Sequence, residues 1–215
     1  MAATDKILSR KEDGVGHLIF NNPERHNAVS LDMWAAAEAV VTDFKADADV
    51  RVMVVSGAGG KAFVSGADIS RFDKDRATKD AIDRYAVLVD RAYGAFAEFP
   101  KPTIAMIRGY CIGGGMALAL CCDMRICTDI AKFGVPAAKL GLGYGFKGIK
   151  RLVDLVGPSF AKEIFFTARQ FTAAEALRMG LVNRSVASDE LEMVVQDYAG
   201  HIGGNAPLTD SLVKY

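Results

Sequence analysis

The sequence predicts an α/β fold on three observations. Short β-branched runs alternate with longer amphipathic stretches from end to end. Glycine-rich loops follow two of the runs. The 215 residues show no repeat, no low-complexity segment and no interdomain linker, as one domain of ordinary size would.

Each element has a local reason. Ile7 to Lys11 and Val15 to Phe20 flank the Glu12-Asp13-Gly14 turn and read as a hairpin. Asn21, Asn22 and Pro23 break the second strand. Ser30 is placed to cap a helix running to about Ala46, with Trp34, Ala37, Val41 and Phe44 on one face. Val50 to Ser56 is β-branched and reads as a strand, followed by a loop containing Gly57, Gly59 and Gly60. A helix is expected over Lys79 to Phe96, and a buried strand over Thr103 to Ile107. Gly113, Gly114 and Gly115 then open an apolar helix, Met116 to Cys122, before a strand from Asp123 to Thr128. Pro158 suits the first turn of a helix through Phe166. Thr172 and Glu175 have the spacing of a capping box, for a short helix ending near Gly180. Ser188 starts the last clear helix.

Composition excludes several functions. Lys and Arg total 26 and Asp and Glu total 26, so no basic excess points to nucleic acid. The longest apolar run, Gly109 to Cys122, is short of the roughly 20 residues of a membrane span. The polar start at Thr4, Asp5 and Lys6 lacks the apolar core of a signal peptide, so a cytoplasmic protein is expected. Cys111, Cys121, Cys122 and Cys127 make no CxxC pair and read as buried small hydrophobes in a reducing compartment, with no metal site.

The chemistry concentrates in two loops, Gly57 to Ser70 (GAGGKAFVSGADIS) and Arg108 to Leu120 (RGYCIGGGMALAL). Glycine there lets a ligand approach the backbone. A helix opening at Gly113 to Gly115 presents unpaired N–H groups, and donors from two loops would make an oxyanion hole. Tight turns and close packing are the other reading of the same glycines. Gly143, Gly145 and Gly148 spell GxGxxG, but no preceding strand or following acid supports a dinucleotide site.

These segments resemble the crotonase superfamily, the enoyl-CoA hydratase/isomerase fold of repeated ββα units. The motifs that carry the likeness are NNPERHNAVS (Asn21 to Ser30), GGKAFVSGADIS (Gly59 to Ser70) and GYCIGGGMALALCCDMRI (Gly109 to Ile126). FGVPAAKLGLGYG (Phe133 to Gly145) and FTAAEALRMGLVN (Phe171 to Asn183) continue it. The resemblance implies an acyl-CoA substrate whose thioester enolate is held by the N–H groups of Ala67 and Gly114. It implies contacts to CoA from Arg25, His26, Lys61, Ser65 and the segment Ala67–Asp68, with Asp68 tying the loop. It implies no cofactor beyond the CoA of the substrate, and a trimer or hexamer. It also implies a core over residues 1–195, with 196–215 beginning a C-terminal helical region whose remainder is absent.

The sequence departs from the hydratases of the family at two positions. Their paired glutamates correspond to Ala117 and Ala137. No Asp or Glu occurs between Arg108 and Asp123 or between Asp129 and Asp154, so ordinary hydration lacks its acid–base groups. KLGLGYGFKGIKRL is similar to methylmalonyl-CoA decarboxylases, whose active-site tyrosine falls at Tyr144. Those enzymes carry a histidine where this chain has Ala67, and a threonine near Pro136. Tyr144 is thus either a proton-handling group or a packed pocket wall. A silent acyl-CoA binder is the third possibility.

Overall fold

The computed structural model describes residues 4–68 and 78–214. Ile69 and Ser70, the end of the second motif, lie outside the described residues.

Two sheets form the frame. The strands are β1 (Ile7–Glu12), β2 (Val15–Phe20), β3 (Val52–Gly57), β4 (Ala62–Val64), β5 (Thr103–Ile107), β6 (Tyr110–Ile112), β7 (Met124–Thr128), β8 (Lys132–Gly134), β9 (Phe171–Thr172) and β10 (Arg184–Val186). The large sheet has the order β1-β2-β3-β5-β7-β10, and the small one β4-β6-β8-β9. Among the described residues, only the β1–β2 and β8–β9 pairs are antiparallel. The helices are α1 (Leu31–Ala46), α2 (Lys79–Ala97), α3 (Gly114–Ala119), α4 (Ala137–Leu140), α5 (Phe146–Thr167), α6 (Ala173–Arg178), α7 (Leu191–Gly204) and α8 (Pro207–Lys214).

The repeat is a strand in the large sheet, a short strand in the small sheet, then a helix. It runs β3-β4-α2, β5-β6-α3 and β7-β8-α4. Each short strand therefore carries the chain from the large sheet to a second layer, where the glycine-rich loops meet.

Alternation along β3 divides the interior. Met53 and Val55 face the main core with Leu18, Phe20, Trp34 and Phe44. Val52 and Val54 face the other side, where Leu191, Val195 and Ala199 of α7 cover them. Helix α7 runs unbroken through residues 195–196. Arg125 is 5% exposed and sits among carbonyls, donating to the oxygens of Leu181, Ala119, Cys122 and Asp123 at 2.6–3.3 Å. That network joins the end of α3 to the chain before β10, and it satisfies a charge that burial would otherwise penalise.

Several local expectations stand. The hairpin turns at Asp13 and Gly14, both with positive φ. Thr172 and Glu175 form the capping box in both directions. Others are corrected. Ser30 precedes α1 but makes no capping bond, and its hydroxyl is buried without a partner. The third helix is Gly114–Ala119, starting two residues earlier than expected, and Leu120 to Cys122 lie beyond it. Pro158 does begin a helical run, but Phe146 to Val156 already form helix, interrupted at Gly157 with φ 76°. The glycines there concealed it. Helix α7 starts at Leu191, three residues after Ser188, and α8 follows it. The short strands β4, β6 and β8 were not expected, because three residues carry too little periodicity to read.

Candidate active site

The two glycine-rich loops meet where β4 and β6 end. Val29 and Ala67 form a parallel bridge, in which Val29 N–H bonds the Gly66 carbonyl (2.8 Å) and Asp68 N–H bonds the Val29 carbonyl (3.0 Å). The Ala67 N–H therefore points to the opposite side. On that side lies Gly114. A Cβ built on Gly114 falls 3.7 Å from the Ala67 nitrogen, and one built on Gly66 falls 3.4 Å from the Gly114 nitrogen.

The sequence supports this geometry at two glycines. Gly113 has φ +56°, in the region that side chains rarely adopt, and its N–H bonds the Gly134 carbonyl at 2.8 Å. Gly115 packs directly on β4, and a Cβ there would sit 1.9 Å from the Val64 carbonyl oxygen. Between them Gly114 occupies the first helical position, whose N–H has no acceptor within the helix. Two backbone segments from different loops thus lie side by side, one of them opening a helix. Gly115→Ala is expected to cost about 3 kcal/mol, because the collision is with backbone. A denaturation midpoint equal to that of the parent would show that β4 yields freely.

The surroundings of Gly113 are apolar and aromatic. The Tyr144 hydroxyl lies 4.0 Å from a Cβ built on Gly113, and Pro136 lies at 3.9 Å. The Tyr144 ring packs edge-on against Phe165, centroids 5.2 Å apart. Burial pushes its hydroxyl up to about 12, so it stays a neutral donor through the ordinary pH range. Ala117 is half-buried one turn after Gly114, and Ala137 is 5% exposed at the start of α4. Neither supplies an acid or base.

The structure brings most of the expected binding residues together. The Ser65 N–H bonds the His26 carbonyl at 3.2 Å, and the Ser65 hydroxyl lies 3.4 Å from the Arg25 carbonyl. The Arg25 guanidinium lies 3.4 Å from the carboxylate of Asp68, itself 8% exposed. Asp68 therefore ties the loop that presents the Ala67 N–H. Lys61 lies at the opposite end of β4, where its carbonyl accepts from Tyr110 N–H at 3.1 Å and its side chain is exposed.

Three residues that sequence reasoning passed over shape the site. Asn27 is fully buried, accepts the Asn22 N–H at 2.9 Å and donates to the carbonyls of Ala58 (2.9 Å) and Ala62 (2.8 Å). It fastens the first motif to the second. Tyr110 is exposed beside His26, ring centroids 6.0 Å apart. Tyr93 reaches the Gly114 carbonyl from α2. An asparagine inside a conspicuous polar motif was a usable signal. A tyrosine within an amphipathic helix was not.

The cysteines are inert by environment. All four are buried, and burial raises the thiol of Cys122 to about 12, those of Cys121 and Cys127 to about 11, and that of Cys111 well above its usual range. Among the described residues no cluster of His, Cys, Asp or Glu could hold a metal ion. Among them, too, no helix is long and apolar enough to cross a membrane. Gly145 of the GxGxxG pattern caps α5, and helix α4 rather than a strand lies before it, so no dinucleotide-binding unit is formed.

A family model described as enoyl-CoA hydratase/isomerase matches residues 10–214. A short-chain-enoyl-CoA hydratase of Clostridium acetobutylicum is 35% identical over 98% of this chain and 80% of its own length. A crotonyl-CoA hydratase of Syntrophomonas wolfei is 37% identical over 99% of this chain and 81% of its own. Among solved structures, an enoyl-CoA hydratase/carnithine racemase from Magnetospirillum magneticum superposes with a TM-score of 0.95 at 35% identity, covering 99% of this chain and 79% of that one.

Proposed function

Since the chain belongs to the enoyl-CoA hydratase/isomerase family, we propose that it acts on an acyl-CoA thioester, with the Ala67 and Gly114 N–H groups holding the enolate oxygen. The close approach of Gly114 to the Ala67 nitrogen is the observation that carries the reading. Preorganised donors act where charge develops, and each is worth roughly 10² to 10³-fold in rate. Arg25, His26, Lys61, Ser65 and the segment Ala67–Asp68 are the proposed CoA contacts. The exposed Tyr110 ring beside His26 offers an aromatic face to the same ligand. CoA arrives as part of the substrate, so the scheme calls for no separate cofactor. The proposal includes a cytoplasmic location, consistent with four unpaired thiols. It also includes assembly into trimers or hexamers, checked by sedimentation.

Hydration by paired glutamates is not part of the proposal, because positions 117 and 137 are alanine. Decarboxylation of a malonyl-type thioester is the second reading, favoured by the absence of Asp and Glu from positions 109–122 and 130–153. There the substrate's own carbon–carbon bond breaks and carbon dioxide leaves. The electron pair stays on the thioester as the enolate, so no protein base is needed. One proton must then reach the α-carbon, and the neutral Tyr144 hydroxyl beside Gly113 is the proposed source.

Mass spectrometry of a thioester panel separates the readings. The panel holds crotonyl-CoA, longer enoyl-CoAs, and malonyl-, methylmalonyl- and ethylmalonyl-CoA. Loss of carbon dioxide, with a large fall in Tyr144→Phe, is the result expected of the decarboxylase. Addition of water would show that another group activates water. Binding without turnover across the panel would make the protein an acyl-CoA binder, and absence of binding would end the acyl-CoA reading.

A further inference from the structure

Tyr93, on the inner part of α2, takes no part in the chemistry above. Its hydroxyl donates to the Gly114 carbonyl at 2.9 Å. The Trp34 ring of α1, 2% exposed, packs edge-on against the Tyr93 ring with centroids 4.9 Å apart. The hydroxyl also occupies the space a side chain would need on Gly114, whose built Cβ lies 3.0 Å from it.

Gly114 needs such a grip. It opens a helix of only 6 residues. A segment that short has little intrinsic stability, and glycine leaves its backbone freer than any other residue. Gly113 is tied by its N–H to the Gly134 carbonyl, and Gly115 by contact with β4. The residue between them carries the donor, and Tyr93 grips that residue itself.

We propose that Tyr93 is a positioning residue for the oxyanion hole, its hydroxyl fixing Gly114 so that the Gly114 N–H stays aligned with that of Ala67. The proposal rests on the oxyanion-hole reading. It makes a contact between α1, α2 and α3 part of the catalytic apparatus, although neither Trp34 nor Tyr93 reaches the reacting atoms. Burial raises the Tyr93 hydroxyl well above its usual range, which favours its protonated, donating form. Its hydrogen is committed to the carbonyl, which leaves proton delivery to Tyr144 or water.

Tyr93→Phe keeps the ring and its packing while releasing the carbonyl. The probe is hexa-2,4-dienoyl-CoA, whose absorbance moves to longer wavelength when the thioester carbonyl is polarised by hydrogen bonds. The parent protein is expected to give that shift. Tyr93→Phe is expected to bind with affinity within about threefold of the parent but with a smaller shift. Turnover should fall by about tenfold at nearly unchanged KM, short of the roughly 10²-fold that a 1 Å misplacement can cost. A full-sized shift and full turnover in a folded Tyr93→Phe protein would overturn the proposal. A parent that binds the probe without any shift would overturn the oxyanion hole itself, and the role of Tyr93 with it. If Tyr93→Phe fails to fold, a fluorotyrosine at position 93 keeps the shape and strengthens the donor. An altered shift then supports the proposal and an unaltered one overturns it.

Discussion

Gly114→Pro is expected to lower acyl-CoA turnover by about 10² to 10³-fold in a protein that still folds. Proline suits the first position of a helix, because that N–H has no partner inside the helix. The substitution replaces the proposed donor's hydrogen with a ring carbon and adds no charge. The Gly113 carbonyl can still accept from Ala117 N–H, as it does at 3.1 Å. One complication is steric, since any Cβ at 114 stands 3.0 Å from the Tyr93 hydroxyl. Gly114→Ala is therefore the matched control, with the same Cβ and the N–H retained. Circular dichroism establishes folding for both. A large loss in the proline variant beside a small one in the alanine variant isolates the hydrogen bond. Equal losses would mean that shape at 114, not the donor, matters.

Ala117→Glu combined with Ala137→Glu is expected to raise hydration of crotonyl-CoA by about 10²-fold or more, since positioned acid–base groups contribute roughly 10² to 10⁴-fold. Ala117 lies three residues beyond Gly114 on the same face of α3, so a carboxylate there rises beside the hole. Ala137 is 5% exposed and follows Pro136, which lies 3.9 Å from a Cβ built on Gly113. A carboxylate buried there is partly deprived of water, which raises its pKa and suits it to delivering a proton. Stereospecific water addition, followed by the loss of enoyl absorbance, is the measurement. No gain from a folded double variant would show that something other than the missing glutamates limits hydration in this pocket.

Much of the candidate site was legible because it is written in residue types. The two glycine-rich loops stand out at Gly57 to Ser70 and at Arg108 to Leu120. The absence of acids is a plain reading of positions 109–122 and 130–153. The capping box at Thr172 and Glu175 is likewise local, closed within a single turn. The misreadings share a cause. Ser30 has the right residue type for a cap, but its hydroxyl is buried where no capping bond forms. Helix over Phe146 to Val156 was hidden by glycines that discourage helix locally and are overruled by packing of Leu152 and Val156 into the core.

Sequence alone determined the α/β class, the two glycine-rich loops, and the absence of Asp and Glu from positions 109–122 and 130–153. These follow from periodicity and side-chain chemistry, which each short segment carries by itself. Only the tertiary structure shows which backbone segments lie side by side. Ala67 turns its N–H away from Val29, which bonds Gly66 and Asp68 instead, and Gly114 packs beside it. Tyr93 reaches Gly114 across 21 residues of chain because α2 and α3 follow successive pairs of strands. Backbone donors leave no side-chain signature, and their direction is set by register and packing between segments far apart in the chain.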